Sequence, residues 1–263
     1  MPLAGYVAFK ALALAQKKSA LQSYSPTVTV QARGLCAQEY WFTHMHDGAG
    51  LVHKLVRSCL YSSLARLERK VYAAAYTNNP FTIESVSPAL KNYLVRHFGA
   101  RTTGIAIAHK DIPKKVEPKQ VLDWRTQVRQ ELAIPESAYV YCYSGSFKPW
   151  QCAQESIEYV VGQFGKNSEA FLSILSSDRQ NFEHACAASN IDMTRVRITS
   201  VQPEQVTKYL AAADAGLLLR HKDPLNWVSR PTKLLEYQAV GLKIVHNNTI
   251  ALLSELKDNL NTP

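Results

Sequence analysis

Short apolar runs alternate with longer helical segments through the second half of this chain, and that alternation limits the fold more than any other feature. Runs such as FLSIL, AGLLL and KIV are nearly free of polar side chains. Strands of this kind are buried on both faces, as in a parallel sheet covered by helices. Parallel strands in one sheet are joined by right-handed crossovers. The sequence therefore predicts an α/β fold with a doubly wound parallel sheet.

The same patterns place the expected elements along the chain. In the first part they predict two convincing strands, at 27–31 and 81–86, and helices at 2–20, 49–75 and 88–98. In the second part they predict strands at 139–143, 170–175, 196–200, 216–219 and 243–246, and helices at 121–133, 150–164, 178–189, 203–213, 231–240 and 250–260.

A polar segment separates these two parts. Residues 109–120 read HKDIPKKVEPKQ, with two Pro, four Lys and few apolar residues. Segments of this composition are typical of linkers between domains. We therefore predict an N-terminal domain at 1–108, a linker at 109–120 and a C-terminal domain at 121–263.

The composition is that of a globular protein without a membrane-spanning segment. Hydrophobic residues make up 46% and charged residues 19% of the 263 residues. No window approaches the roughly 18 consecutive apolar residues of a spanning helix, and Lys10 interrupts the first apolar stretch, unlike in a signal peptide. The five Cys include no C-x-x-C pair. We therefore expect a cytoplasmic protein without a disulfide framework or a metal site.

The net charge of +9 is concentrated in the first part of the chain. Residues 1–100 hold 11 Lys and Arg against four Asp and Glu. Such an excess can meet an anionic membrane surface, nucleic acid or phosphorylated substrates, or it can simply form a solvated surface. A long Lys/Arg run of the nucleic-acid-binding type is missing. Nucleic acid is therefore not the expected partner.

Ligands of doubly wound sheets bind beyond the carboxyl ends of the strands, so the loops there are the first places to search for a site. The loop YSGSFKPW follows the strand at 139–143 and contains Gly145, Ser146 and Lys148. Glycine lets the backbone approach a ligand, and the helix that follows offers its N-terminus to a phosphate. Any strand-to-helix turn can use Gly and Ser, so this loop alone does not identify a ligand.

The second loop follows the strand at 216–219 and reads RHKDPLNWVSRPTKLLEYQAVG. Arg220 ends the strand, Ser229 is a candidate N-cap, and Gly241 is a candidate helix terminator. Lys233 and Glu236 lie three residues apart on one helix face. This pattern is either a capped helix with a surface ion pair or a nucleotide-sugar site. In the second case the cations face a diphosphate, and the carboxylate accepts hydrogen bonds from ribose hydroxyls.

The segment SRPTKLLEYQAVGLKIV, with the preceding AAADAGLLLR, resembles the donor-binding region of GT-B glycosyltransferases, most closely those of family 4. The family's S-x-P-x-K-x-x-E-Y-x-A-x-G pattern is matched throughout, and YSGSFKPW is similar to the Gly-containing loop that opens its second domain. VQARGLCAQEYW and FTIESVSPALKNYL resemble segments of the first domain more loosely. The matched residues of the pattern are Ser229, Pro231, Lys233, Glu236, Tyr237, Ala239 and Gly241.

The resemblance implies a GT-B-like fold in which a Rossmann-like C-terminal domain binds the nucleotide-sugar donor. It implies a hexosyltransferase-like enzyme of polysaccharide biosynthesis that transfers the sugar to a glycan or lipid-linked acceptor, retaining the anomeric configuration. Neither metal nor cofactor is then expected, and the enzyme is expected in the cytoplasm or peripherally on the inner face of the membrane. The donor-binding residues that we predict are Gly145, Ser146, Lys148, Arg220, Ser229, Lys233 and Glu236.

The sequence also departs from the family. The first carboxylate of the family's E-x7-E motif falls at Val228, and the cations that follow the Gly loop fall at Ser146 and Gln151. The contexts of His44, His46 and His53 do not match the family's catalytic His, so no catalytic residue is assigned. The chain is also shorter than two complete Rossmann domains. We therefore expect a truncated member with an incomplete N-terminal α/β domain.

Three alternatives remain open at this stage. The departures favour a non-catalytic GT-B-like protein that at most binds a nucleotide, which donor hydrolysis or transfer by the purified chain would exclude. A nucleic-acid-binding module would show steeply salt-dependent binding of oligonucleotides. A nucleotide-sugar epimerase of the same architecture would act without any acceptor.

Overall fold

The computed structural model describes residues 28–44, 50–74, 81–108 and 112–253. They form two compact units. The first unit comprises the described residues up to 108 together with 222–230 and 250–253, and the second comprises 112–221 and 231–249. The sequence placed all of 121–263 in one domain. Segment 222–230 instead groups with the first unit, because the Val228 carbonyl there accepts a hydrogen bond from the Ser87 hydroxyl at 2.5 Å.

The first unit contains a three-stranded parallel sheet in the order β1-β2-β3. The sequence predicted the first two strands to within one or two residues. The strands are β1 (Val28–Ala32), β2 (Phe81–Ser85) and β3 (Ile105–Ile107), and the helices are α1 (Cys36–His44), α2 (Leu51–Ala74) and α3 (Pro88–Phe98). A further short helix of this unit, given below as α8, lies in segment 222–230.

Helix α1 was not predicted, because the group that caps it comes from another helix. The backbone N–H groups of Cys36 and Ala37 donate to the carboxylate of Glu68, at 2.9 and 3.4 Å. Glu68 is buried and belongs to α2. A cap supplied from 31 or 32 residues away leaves no local pattern in the sequence. The helix predicted at 2–20 lies outside the described residues.

The second unit contains a five-stranded, fully parallel sheet in the order β6-β5-β4-β7-β8. Two of its strands, β5 and β8, have exactly the predicted bounds. The strands are β4 (Tyr139–Ser144), β5 (Ala170–Leu175), β6 (Val196–Thr199), β7 (Ala215–Leu218) and β8 (Lys243–His246). The helices of this unit are α4 (Pro118–Glu131), α5 (Ala153–Phe164), α6 (Arg179–Ala188), α7 (Val206–Leu210) and α9 (Thr232–Ala239). Helix α8 (Pro224–Trp227) is numbered in chain order but belongs to the first unit.

Two helical layers cover this sheet. Helices α5 and α6 contact each other and strands β4 to β6, whereas α4 and α9 both contact α7, and α9 also contacts β7 and β8. The parallel sheet flanked by helices confirms the predicted α/β architecture. None of the helices in the described part of the chain is long and apolar enough to cross a bilayer.

Several predicted helices are shorter than the sequence indicated. A 3₁₀ turn at Pro149–Gln151 precedes α5, because Cys152 has a left-handed backbone (φ 50°) that separates the turn from the helix. The helix predicted at 203–213 is a 3₁₀ turn followed by the five residues of α7. Helix α4 begins at Pro118, inside the predicted linker, with proline in the first turn. Helix α8 was not predicted, and most of the helix expected at 250–260 lies outside the described residues.

The strand order reverses direction between β4 and β7. From β4 the chain moves outward through β5 and β6, then returns to the other side of β4 through β7 and β8. Loops that leave such a pair of strands turn to opposite faces of the sheet and open a crevice at their carboxyl ends. The loops after β4 and β7 therefore flank the expected ligand site.

A tyrosine ring packs directly on β7 beside this crevice. Gly216 leaves the space for it, because a Cβ atom at this position would lie 2.3 Å from Cδ2 of Tyr237. The hydroxyl of Tyr237 accepts a hydrogen bond from the Ser144 N–H at 3.1 Å. It also lies 3.4 Å from the Cys142 carbonyl and 3.3 Å from the Leu217 carbonyl, and its single proton is shared between these two acceptors. Helix α9 is thus fixed to β4 and β7 together.

We predict that Gly216→Ala lowers the free energy of unfolding by about 2–3 kcal/mol, because the new methyl group overpacks the buried ring of Tyr237. Urea unfolding of the purified chain measures the change. Gly162→Ala is the matched control, since no atom other than those of the neighbouring residues and the backbone of the same helix lies within 4 Å of the added Cβ there. In the middle of α5 this control is expected to be neutral or stabilising by up to about 1 kcal/mol. Equal effects of both substitutions would contradict the packing role of Gly216.

Candidate functional site

Five residues of the second unit meet at the carboxyl ends of β4 and β7. We name this group the strand-end site. It contains one glycine turn, two buried cations and two groups that position them. Its members are Tyr143, Gly145, Gln151, Arg220 and Lys233.

The turn after β4 brings its backbone close to a cationic side chain. Gly145 has φ 128°, a conformation that favours glycine, and its N–H donates to the Leu175 carbonyl at 2.9 Å. A Cβ atom at Gly145 would lie 3.0 Å from Oε1 of Gln151 and 3.4 Å from Nζ of Lys233. A side chain here would crowd Gln151 and lie in contact with the lysine. The glycine therefore keeps the approach to Lys233 open.

Lys233 is buried rather than paired on the surface. Its side chain begins in the first turn of α9, it is 7% exposed, and its Nζ lies 4.1 Å from the centroid of the Tyr143 ring. Among the described residues, Nζ has no hydrogen-bond partner. Buried ammonium groups almost always have partners, because an unpaired buried charge is costly. The surface ion pair with Glu236 that the sequence left open is therefore not formed.

The electrostatics of the site follow from this burial. Desolvation lowers the pKa of Lys233 well below its usual value, and the positive charge of Arg220 lowers it further. Burial also raises the pKa of the half-buried Glu236, and the nearby Lys233 partly opposes this rise. The centre of the site therefore holds two cationic side chains, and the surroundings of Lys233 oppose its charged form.

Arg220 is the second cation, and hydrogen bonds hold both its side chain and its backbone. The side chain is buried, with Nη1 donating to the carbonyl of Gln151 at 3.1 Å and to that of Leu219 at 3.3 Å. Asn247, just after β8, binds the backbone of Arg220, donating to its carbonyl at 2.7 Å and accepting from its N–H at 3.3 Å. The guanidinium is thus held at the end of β7 by the loops that follow β4 and β8.

The remaining predicted residues have different surroundings. Ser146 is half-buried, with its carbonyl 3.1 Å from the hydroxyl of Tyr143 and its Oγ 3.4 Å from Nε2 of Gln151. Lys148 is exposed and precedes the 3₁₀ turn. Both belong to the loop that carries Gly145, and their predicted donor contacts stay a prediction.

Ser229 lies in the first unit and does not cap helix α9. Its hydroxyl donates to the carbonyl of Asn226 at 2.8 Å, and the N-cap position of α9 is occupied by Pro231. The predicted N-cap was therefore wrong, because the end of α8 supplies a nearer acceptor. Val228, at the position of the family's first carboxylate, is fully buried in the first unit.

The sequence analysis did not single out two members of the strand-end site, Tyr143 and Gln151, or two residues that hold its neighbours in place, Asn247 and Tyr237, the last being only a member of the matched pattern. Tyr143, Asn247 and Tyr237 contact residues that are remote in sequence, namely Lys233, Arg220 and Ser144. Gln151 lies in the 3₁₀ turn ahead of Cys152, where the sequence predicted a helix. Gln151 had been considered only as a position lacking a cation. Of these four residues, a search for polar residues one or two positions beyond each predicted strand would have found only Asn247.

One group in the described part of the chain offers ligand atoms to a metal ion. Cys152, Glu155 and His221 bring such atoms within 4.8 Å of one another. Nε2 of His221 and Oε1 of Glu155 are 3.6 Å apart, and both side chains are exposed. A thiolate, a carboxylate and an imidazole suit a borderline-soft divalent ion. Arg220 adjoins His221 in the chain, so a cation here would face an existing positive charge.

Solved structures share this fold. No protein-family model and no curated protein sequence matches the chain. WaaG, a glycosyltransferase involved in lipopolysaccharide biosynthesis, is similar with a TM-score of 0.61 and 16% identity, over 89% of this chain and 60% of WaaG. Anabaena HepE, in complex with UDP and glucose, is similar with a TM-score of 0.60 and 12% identity, over 97% of this chain and 59% of HepE. A Rickettsia africae glycosyltransferase gives 0.55 and 11%, over 98% and 66%.

These likenesses confirm the predicted GT-B-like fold. At such low identities they show the fold alone, and this chain spans about 60% of the length of WaaG and HepE. The properties of the site must therefore be argued from its own residues.

We predict that Lys233→Met stabilises the protein at neutral pH, because it replaces a buried amine, which has no hydrogen-bond partner among the described residues, by an apolar group of similar length. It should also change the pH dependence. The unfolded chain keeps the lysine proton up to its usual pKa, whereas the folded chain loses it at lower pH. Between these two values the unfolded state holds more protons, so the free energy of unfolding rises with pH, by at most about 1.4 kcal/mol per pH unit.

Urea unfolding of the wild-type chain and the variant, at a series of pH values below the usual pKa of lysine, measures both effects. The excess slope should vanish in Lys233→Met. Lys119→Met, at an exposed position of α4, is the control and should leave the slope unchanged. Parallel curves for the wild type and Lys233→Met would mean that the folded chain does not perturb this lysine.

Proposed function

We propose that this chain binds a nucleotide-sugar at the strand-end site and belongs to an enzyme that transfers the sugar to a glycan or lipid-linked acceptor. The observation that carries the proposal is the buried Nζ of Lys233, which has no hydrogen-bond partner among the described residues and faces a glycine turn beside Arg220. A diphosphate supplies the negative charge and the acceptor oxygens that this arrangement requires.

The two cations have distinct parts in the proposal. Arg220 is already held by carbonyl groups and the Asn247 amide, so it offers a fixed positive charge at the end of β7. Lys233 takes up a proton when the diphosphate arrives, because the new negative charge opposes the desolvation that lowers its pKa. The N-terminal turn of α9, to which Lys233 belongs, adds the partial positive charge of a helix N-terminus.

Glu236 is the residue that we assign to the nucleoside. It lies one turn after Lys233 on α9 and is half-buried. In the family that this sequence resembles, the matching carboxylate holds the ribose of the nucleotide. Its raised pKa is consistent with a partly desolvated carboxylate that gains by accepting hydrogen bonds from two hydroxyls. HepE was solved with UDP and glucose, so UDP is the first nucleotide to test.

In this proposal the chain stabilises the departing diphosphate with its own cations. Positive charge from Arg220 and Lys233 and the N-terminal dipole of α9 would meet the charge that develops as the bond from sugar to phosphate breaks. The proposal therefore includes neither a metal ion nor a cofactor. Transfer with retention of the anomeric configuration, as the resemblance implies, belongs to the same proposal.

The wider setting is proposed on the same basis. The structurally similar WaaG acts in lipopolysaccharide biosynthesis. We place this chain in polysaccharide biosynthesis, in the cytoplasm, with a peripheral position on the inner face of the membrane where lipid-linked acceptors are found.

We expect the purified chain to bind one of UDP, GDP or ADP, and we expect Glu236→Ala to weaken that binding by roughly 10- to 100-fold. The loss corresponds to a charged hydrogen bond, worth about 1.5–3 kcal/mol. Isothermal titration calorimetry measures the affinities. Glu183→Gln, an exposed carboxylate on α6, is the matched control and should bind like the wild type. A folded chain that binds none of the three nucleotides would refute the donor site.

Binding without transfer would favour the non-catalytic alternative. The chain with a bound nucleotide would then be tested with the matching nucleotide-sugar and a lipid-linked or glycan acceptor. Release of free nucleotide above the Glu236→Ala background would support the enzyme.

Nucleotide binding should also be coupled to proton uptake. If Lys233 takes up a proton from the buffer when the diphosphate binds, the calorimetric heat will depend on the ionisation enthalpy of the buffer, with up to about one proton taken up per nucleotide. Affinity should fall as the pH rises further. Lys233→Met is the informative comparison, because it removes the group that takes up the proton, so its binding heat should not depend on the buffer. An unchanged heat in all buffers would contradict the role of Lys233.

A further inference from the structure

Three side chains that can bind a metal ion meet beside the strand-end site. Cys152, Glu155 and His221 bring a sulfur, a carboxylate oxygen and an imidazole nitrogen within 4.8 Å of one another. All three belong to the second unit: Cys152 immediately precedes α5, Glu155 lies in the first turn of α5, and His221 follows β7. We name them the Cys-Glu-His cluster. The proposed binding of a nucleotide makes no use of them.

The spacing of the ligand atoms fits one tetrahedral ion. Nε2 of His221 and Oε1 of Glu155 are 3.6 Å apart, which is longer than the roughly 2.7–3.2 Å of a hydrogen bond. Two nitrogen or oxygen ligands of a tetrahedral zinc ion, each about 2.1 Å from the metal, lie roughly 3.4 Å from each other. The two side chains are therefore placed for a shared ion rather than for a direct hydrogen bond to each other.

Burial divides the cluster into a closed side and an open side. Cys152 is 3% exposed, whereas the side chains of His221 and Glu155 are 46% and 47% exposed. A metal ion can therefore enter from the solvent between the imidazole and the carboxylate and meet the sulfur behind them. The thiol of Cys152 then releases its proton to the solvent. The N-terminus of α5, where Cys152 is the N-cap residue, stabilises the resulting thiolate by its partial positive charge.

The charge balance of the cluster offsets the repulsion from Arg220, which precedes His221 in the chain. A divalent ion brings two positive charges. The thiolate of Cys152 and the carboxylate of Glu155 supply two negative charges, and the imidazole that binds a metal is neutral. The filled cluster is therefore neutral and adds no net positive charge beside the guanidinium.

We propose that the Cys-Glu-His cluster binds one zinc ion, with water as the fourth ligand, and that the ion fastens the loop after β7 to the start of α5. Zinc accepts sulfur, nitrogen and oxygen ligands together, whereas magnesium and calcium require a shell of oxygen ligands. Each end of this link adjoins a member of the strand-end site, because Gln151 precedes Cys152 and Arg220 precedes His221. The hydrogen bond of 3.1 Å from Nη1 of Arg220 to the Gln151 carbonyl already joins the same two segments.

The bound ion is expected to strengthen nucleotide binding, and this consequence rests on the proposed function. It fixes Gln151 and Arg220 before the nucleotide arrives, which lowers the entropy lost on binding. It also neutralises the carboxylate of Glu155, whose negative charge would otherwise repel a diphosphate. We expect zinc to raise the affinity for UDP about fivefold or more. The ion itself takes no part in sugar transfer.

Titration of the full chain with zinc tests the site directly. The chain is purified without a polyhistidine tag and kept reduced. We expect one zinc ion to bind per chain with a Kd of roughly 1 μM or tighter, with release of about one proton. Cobalt(II) in place of zinc should give the near-ultraviolet charge-transfer absorption of a thiolate ligand. Cys152→Ser should abolish that absorption, and His221→Gln should weaken zinc binding at least tenfold.

Matched controls separate the cluster from other thiols and imidazoles of the chain. Cys59→Ser removes an exposed thiol on α2, and His184→Gln removes an exposed imidazole on α6. Both controls should bind zinc like the wild type and keep the cobalt absorption. Circular dichroism and the thermal midpoint establish that each variant is folded. Because His221 is exposed, its variant tests the site even if the substitution of the buried Cys152 prevents folding.

Three results would overturn the zinc site: a folded wild-type chain that does not bind zinc, equal losses of affinity in the cluster variants and their controls, or a cobalt complex without thiolate absorption. UDP affinity is compared between metal-free chain and chain loaded with one equivalent of zinc and then dialysed, because free zinc binds diphosphates. Equal UDP affinities would overturn the effect of the ion on the strand-end site. If neither form binds UDP, the proposed function fails, whereas the cobalt spectrum still decides whether the zinc site exists.

Discussion

The contact between Gly216 and Tyr237 is the constraint on which the candidate site depends. Without a side chain at Gly216, the Tyr237 ring lies directly on β7, and its hydroxyl contacts backbone groups of both β4 and β7. The helix that carries the ring is thereby fixed over the point where the strand order reverses. Lys233 and Glu236 belong to that helix, so their positions follow from the packing of Tyr237 against Gly216. Removing the space for the ring would displace the cation along with the helix.

In the proposed function, the site combines the fixed charge of Arg220 with a charge on Lys233 that depends on the ligand. Arg220 is held by carbonyl groups of its surroundings, whereas Lys233 is buried without a hydrogen-bond partner among the described residues, and its pKa is lowered. An empty site with two permanently charged, buried cations would be costly, because each would be desolvated beside the other. A lysine that is protonated together with anion binding avoids much of that cost. The arrangement is less stable than an apolar one would be, which is what a site kept for a ligand requires.

Much of the second unit could be predicted from local patterns, and the reasons are physical. The strands β5 and β8 have the predicted bounds because each is a short segment with apolar residues at its centre and turn residues beyond its ends. The patterns failed where a distant group decides the local structure. Helix α1 depends on the carboxylate of Glu68, and Ser229 turns to the carbonyl of Asn226 instead of capping α9. Segment 222–230 joins the first unit through Ser87, which no linear pattern can show.

The sequence by itself determined the α/β class, the parallel sheet, and the two segments, one after β4 and one after β7, in which Gly145, Arg220, Lys233 and Glu236 lie. These features depend on residue type and spacing along the chain. Only the tertiary structure decided that Lys233 is buried over Tyr143 and that Gln151 and Asn247 position Arg220. It also decided which ligand atoms meet in the Cys-Glu-His cluster. Burial and partner choice depend on which remote segments meet, and so they are properties of the folded chain rather than of any stretch of sequence.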